Sequence, residues 1–331
     1  MNNFKKIGMT ALAASLVSTS VFAGELAVSG SASINWENYS GNAVSSTKSF
    51  SMGNQITFYG SGELDNGMTV ALSFTLDEGD NVDASSAVTS SVFDGHSVSI
   101  SSDALGTLKF SGEGADSAQN AVGDTAAGNI WDNFDTRVTG AATLSESGMS
   151  TNSFNYTLPT LVDGVAVTAS YSPNKGQDES DTAYAVVYTG VEGLTLSYGA
   201  GSSDGDAAGS GGTAANADTV SMKASYAIGS FTLAYSDHDH DSNTDTSDQT
   251  ASSWKVSYTV SDAVSVSYAT DSLDSAGTAD TSDAEYTKIV ASHTSGGMTV
   301  SANYQEASEM SYTTAANEDQ EYYGLSLSFA F

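Results

Sequence analysis

Residues 323–331 read Tyr323-Gly324-Leu325-Ser326-Leu327-Ser328-Phe329-Ala330-Phe331, an unbroken alternation of apolar and small side chains. At a period of two, Tyr323, Leu325, Leu327, Phe329 and Phe331 fall on one face of a strand. Gly324, Ser326, Ser328 and Ala330 fall on the other. An apolar strand closing on an exposed Phe is poorly suited to water. A closed barrel in lipid accommodates it, because one face of each strand meets acyl chains and the other a wet lumen.

The same alternation recurs along the chain. Leu26, Val28, Gly30, Ala32, Ile34 and Trp36 share one face of the first run. Ile56, Phe58 and Gly60 lead into Asp65-Asn66-Gly67, a tight-turn signal, and Met68, Val70, Leu72, Phe74 and Leu76 follow in phase. Similar hairpins follow, among them Trp254/Val256/Tyr258 with Val264/Val266/Tyr268, and Ile289/Ala291 with Met298/Val300/Tyr304. The pattern predicts about sixteen strands of roughly 8 to 14 residues, enough to cross a ~25 Å apolar band when tilted.

Two further features agree. Short links (Asp65–Gly67, Ala104–Leu105, Val191–Gly193, Ile228–Ser230, Ser261–Asp262, Ser295–Gly297) alternate with long polar ones at about 38–47, 78–90, 114–149, 174–180, 202–217, 238–250, 272–283 and 307–317. Aromatics gather near strand ends: Trp36, Phe74, Tyr171, Tyr198, Tyr235, Trp254, Tyr268 and Tyr304 toward the long links. Tyr156, Tyr188, Tyr226, Tyr258 and Phe331 lie toward the short ones, giving two interfacial belts.

Residues 1–23 read as a secretory leader. Lys5 and Lys6 precede an apolar Ile7–Val17 stretch too short to span a bilayer, and Val21-Phe22-Ala23 is a small-residue cleavage site. The expected mature chain is residues 24–331, a single barrel domain. No later segment approaches the ~18 consecutive apolar residues of a membrane helix. There is no cysteine, so an exported chain must draw its stability from something other than disulfides. Without the two leader lysines the formal charge of −31 becomes −33, which argues against nucleic acid as a partner. The only prolines are Pro159 and Pro173, and Gly, Ser, Thr, Tyr and Val dominate, a strand composition.

The fold expected is all-β, a transmembrane antiparallel β-barrel. With these features the chain is similar to the general diffusion porins of Gram-negative outer membranes, close in style to those of alphaproteobacteria. The Tyr323–Phe331 strand resembles the C-terminal signature by which such barrels are recognised for insertion. Leu105-Gly106-Thr107-Leu108-Lys109-Phe110 and Asn152-Ser153-Phe154-Asn155-Tyr156 resemble the strands flanking that family's third loop. The resemblance implies a homotrimer of barrels in outer-membrane lipid and lipopolysaccharide, with delivery by the barrel-insertion machinery. Each barrel would hold a water-filled pore constricted by the inward-folded third loop, passing small hydrophilic solutes without a cofactor.

The residues opposite the apolar face are mostly Ser, Thr, Asn, Ala and Gly. Lys109, Lys223, Lys255 and Lys288 each alternate with apolar neighbours and so point into the lumen. The longest link, about Gly114 to Met149, carries Asp116, Asp124, Asp132, Asp135, Glu146 and Arg137, and its Asn129–Asp135 patch holds apolar anchors. An acidic loop facing a lysine wall would set up a transverse field, and the charge balance predicts mild cation selectivity. Asp237, Asp239 and Asp241, alternating with His238 and His240, suggest hard-cation ligation in an outer loop. The turn glycine and closing glutamate of a calcium loop are missing, and a solvated acidic loop is the simpler reading. His96 and His293 have no clustered partners and read as ordinary lumen or interface residues.

Competing functions are weaker. An outer-membrane protease would draw its Asp and His from several strands, whereas here they crowd into one segment, so an enzyme is not expected. An acidic surface or adhesive β protein would show a fixed-period repeat, and these links are unequal. A substrate-specific channel shares the fold and differs in the aromatic or charged lining of its constriction; the sequence leaves open whether Trp131 and Phe134 face the pore or the wall.

Overall fold

A computed structural model describes residues 26–41, 47–77, 93–134, 149, 151–173, 180–203, 216–242, 248–276, 282–312 and 319–331. The leader lies outside the described residues, as do most of the long links and, among the expected site residues, Asp135, Arg137 and Glu146. Among the described residues sixteen strands form one closed barrel. They are β1 (Leu26–Gly41), β2 (Thr47–Glu63), β3 (Thr69–Asp77), β4 (Phe93–Ser102), β5 (Gly106–Glu113), β6 (Ser153–Thr157), β7 (Val165–Pro173) and β8 (Ser180–Val191). The second half comprises β9 (Leu194–Ser203), β10 (Ala217–Ile228), β11 (Phe231–Ser242), β12 (Gln249–Ser261), β13 (Val264–Ser275), β14 (Ala284–Ser295), β15 (Met298–Ser308) and β16 (Gln320–Ala330).

Each strand pairs antiparallel with its neighbours in sequence, and β1 pairs with β16 from Ser31↔Ala330 to Gly41↔Gln320. That last pairing matters because lipid offers no partner to an unpaired N–H or C=O. The register sorts the faces as the alternation requires. Ile34, Trp36 and Leu325 share the outer face, while Tyr39 and Tyr322 meet edge to face inside, with ring centroids 4.9 Å apart. Large apolar side chains such as Ile34, Leu72, Leu233 and Ile289 stand exposed on the outside. This inverts a soluble protein's pattern and fits acyl chains as the surrounding medium. Cross-strand aromatic pairs reinforce the outer surface, including Phe58–Phe74 at 5.1 Å and Trp254–Tyr268 at 5.3 Å.

The strands run farther than the apolar pattern suggests. β11 continues to Ser242 and β12 begins at Gln249, so Asp237, Asp239 and Asp241 belong to a strand instead of a loop. Apolar alternation marks only the lipid-facing part of a strand. The hydrogen-bond ladder needs no apolar side chains and continues past it, with Asp241 opposite Asp218 and His240 opposite Gln249.

Candidate functional site: a loop belt on the barrel wall

The most deeply buried part of the molecule is the segment after β5, which folds into the barrel. It leaves β5 through Gly114, whose φ of +62° is left-handed; a Cβ there would lie 2.9 Å from the carbonyl oxygen of Asp94. The segment contains two short 3-10 turns, Ala118–Ala121 and Ile130–Asn133. An irregular backbone inside a barrel must find partners for its N–H groups. Here it finds them on one strand after another.

Asn155 of β6 donates to the Asp116 carbonyl at 2.9 Å. The Ala118 N–H donates to Ser170 Oγ of β7 at 2.8 Å, and the Gln119 amide donates to Ser221 Oγ of β10 at 2.8 Å. Thr219 donates back to Gln119 Oε1 at 2.7 Å. Lys223 Nζ donates to the carbonyls of Asp124 and Thr125 at 2.8 and 3.3 Å. The Ala126 and Ala127 N–H groups reach Ser236 of β11 and Ser253 of β12 at 2.8 and 2.9 Å. The Ile130 N–H then meets Asp271 Oδ2 of β13 at 2.7 Å, and Asn133 donates to Gln305 of β15 at 3.0 Å. The segment is a belt fastened to the wall from β6 to β15.

Its far end is held by packing. Ile130 and Phe134 are 0 % exposed and Trp131 3 %, seated among Leu273, Tyr286 and Met310 and the small side chains of Ala269 and Ala284. Trp131 and Phe134 approach the Tyr286 ring at 6.4 and 5.9 Å. Both aromatics therefore face the wall.

Lys109, Lys223, Lys255 and Lys288 sit on inward positions of β5, β10, β12 and β14. The belt lies on the same side of the barrel as Lys223, Lys255 and Lys288, not across from them. An acidic loop facing a lysine wall is thus replaced, for the described arm, by an acidic loop laid along that wall. Asp124 is held there by Asn129 at 3.2 Å, and Asp132 rides on the second 3-10 turn. The arc away from the described arm of the belt, β1 to β5, presents Glu37 and Asp77 with Lys109 at inward positions.

Asp237, Asp239 and Asp241 project from the outer face of β11, about 7 Å apart at successive same-face positions. Among the described residues no group of three or more His, Cys, Asp or Glu has the geometry to hold a metal ion. The histidines between them point inward, and His238 is buried beneath the belt with Nδ1 2.9 Å from Ser221 Oγ. His96 stands outward beside Gly112, and His293 is exposed near a short turn.

The residues that fasten the belt, Ser170, Ser221, Ser236, Ser253 and Asp271, were not distinguishable in the sequence. Serine occupies inward positions on nearly every strand, so its presence at the docking height carries no separate signal.

The family model described as Gram-negative porin matches residues 8–306. No curated protein sequence matches the chain. Among solved structures, the anion-selective porin from Comamonas acidovorans aligns at 15 % identity and a TM-score of 0.68, over 93 % of this chain and 100 % of that one. A mutant of the Rh. blastica porin aligns at 15 % identity and 0.66 over the same shares. A porin structure refined at 1.8 Å aligns at 18 % and 0.64, again over the same shares.

Proposed function

This chain belongs to the Gram-negative porin family, and we propose that its lumen passes small hydrophilic solutes and ions with mild preference for cations. The family and fold are those of outer-membrane diffusion channels, not enzymes. The observation that carries the general-channel reading is the orientation of the belt. With Trp131 and Phe134 turned into the wall, the aromatic lining that a substrate-specific constriction would use is withdrawn from the described lumen. The cation preference rests on charge. Inward-facing Glu37, Glu63, Asp77 and Asp181, with Asp116, Asp124 and Asp132 of the belt, outnumber the lumen lysines. Asp135, Arg137 and Glu146 complete the proposed constriction loop.

The same reading includes a homotrimer, contact with outer-membrane lipid and lipopolysaccharide, and recognition of Tyr323–Phe331 by the barrel-insertion machinery. Residues 1–23 are its cleaved leader. No calcium site is proposed at Asp237, Asp239 and Asp241, given their spacing along β11. The test is a planar bilayer holding the purified protein under a KCl gradient. Large ohmic currents with a reversal potential on the cation side are expected. Saturating currents or strong anion preference would overturn the reading.

A further inference from the structure

Below the belt, on the side of the short turns, the inner faces of β12 to β15 enclose a cavity of about 400 Å³ that opens into the lumen. Ala127 of the belt forms its roof. Lys255 and Lys288 flank Ala269 on one cross-strand row, so their Cα atoms stand about 10 Å apart across a methyl group. Ammonium groups on such long stems can converge on one anion placed over Ala269. The floor is made of hydroxyl and amide groups. Ser257 and Ser267 face each other across β12 and β13, Ser265 and Ser292 share a hydrogen bond at 2.8 Å, and Asn303 closes the edge.

No carboxylate lines this cavity among the described residues. The nearest buried one, Asp271, lies two residues along β13 from Ala269 and is engaged by the Ile130 N–H at 2.7 Å. Lys288 also feels Asp124 and Asp132 of the belt. A cavity of this size suits a molecule of roughly hexose dimensions. Two positive heads above a bed of neutral donors and acceptors complement a solute with one anionic group and several hydroxyls.

We propose that this cavity is a retention subsite for small hydroxylated monoanions, sugar acids as a class, on their way through the pore. The proposal rests on the channel reading above and adds to it what lingers in the channel. The lumen's net charge governs which small ions flow, and this pair of ammonium groups governs what pauses.

The experiment is single-channel recording of the full-length protein in KCl with gluconate, glucose or acetate added. Gluconate should produce excess open-channel noise that saturates with concentration, while glucose and acetate should not. Lys255→Gln and Lys288→Gln should each weaken the apparent gluconate affinity by about tenfold or more. Lys255→Arg and Lys288→Arg should largely preserve it, and heat-modifiable gel migration reports that each variant folds. A conducting channel in which gluconate adds no noise, or adds no more than acetate, overturns the subsite and leaves the channel reading intact. Absence of KCl conductance in the folded protein overturns both.

Discussion

Gly30 and Phe331 exchange two backbone hydrogen bonds: the Gly30 N–H reaches the Phe331 carbonyl at 2.8 Å, and the Phe331 N–H reaches the Gly30 carbonyl at 3.0 Å. The Phe331 ring also lies over Gly30, where a Cβ would stand 2.7 Å from its Cε2 and 3.0 Å from the Gln55 carbonyl oxygen. The first and last strands are thus locked at their final rung by a residue without a side chain and one with a large ring. Lipid would leave these groups unpaired if the rung opened.

Gly30→Val should therefore impair closure. The terminal ring can swing aside, but the Gln55 carbonyl belongs to the ladder and cannot. A loss of about 1–3 kcal/mol is expected for this kind of overpacking. The urea midpoint of the gel-shifted, folded form reads it directly, and Gly30→Ala should lie between wild type and Gly30→Val.

Truncating the belt's anchors should free the loop without unfolding the barrel. Trp131→Ala and Phe134→Ala each remove a fully packed aromatic, worth about 3–5 kcal/mol at buried sites. That loss falls on docking, because the barrel ladder does not pass through either residue. Faster proteolysis within residues 115–149 and a noisier open-channel current are expected, with heat-modifiable migration retained.

Asp271 tests the hydrogen-bonded part of the same belt. Asp271→Ala leaves the Ile130 N–H buried without its acceptor, a cost of about 1–3 kcal/mol. Asp271→Asn retains an oxygen in place and should cost less. Protease sensitivity should rise more in Asp271→Ala than in Asp271→Asn; equal sensitivity of the two would mean that a neutral oxygen at this position does not hold the loop.

Selectivity that comes from fixed lumen charges must fade with salt. The Debye length falls from ~10 Å at 0.1 M to ~3 Å at 1 M, so fixed charges control progressively less of the pore's cross-section. Reversal potentials measured at the same KCl ratio should approach zero as both baths are raised over that range. A potential independent of ionic strength would point to size or dehydration in place of charge.

The barrel was legible in the sequence because its evidence is repeated. Tyr323 to Phe331, Leu26 to Trp36 and Trp254 to Tyr268 each alternate weakly, yet all agree in phase, and the outer-face aromatics fall where the alternation puts them. The inward direction of Lys109, Lys223, Lys255 and Lys288 followed from the same parity. Strand ends were less legible. At Asp237 to Asp241 the apolar signal stops while the ladder continues, so a stretch of strand read as loop.

By itself, then, the sequence determined the strand faces, the closed topology and which side chains the lumen receives, since these depend on a local period of two that each strand repeats. The route of the belt, the wall-facing turn of Trp131 and Phe134, and the meeting of Lys255 with Lys288 beneath Ala127 were decided only by the tertiary structure. Those contacts join residues from tens to more than a hundred positions apart, through serines and alanines that look alike on many strands. Their meaning comes from height and neighbour on the closed wall, which no local pattern encodes.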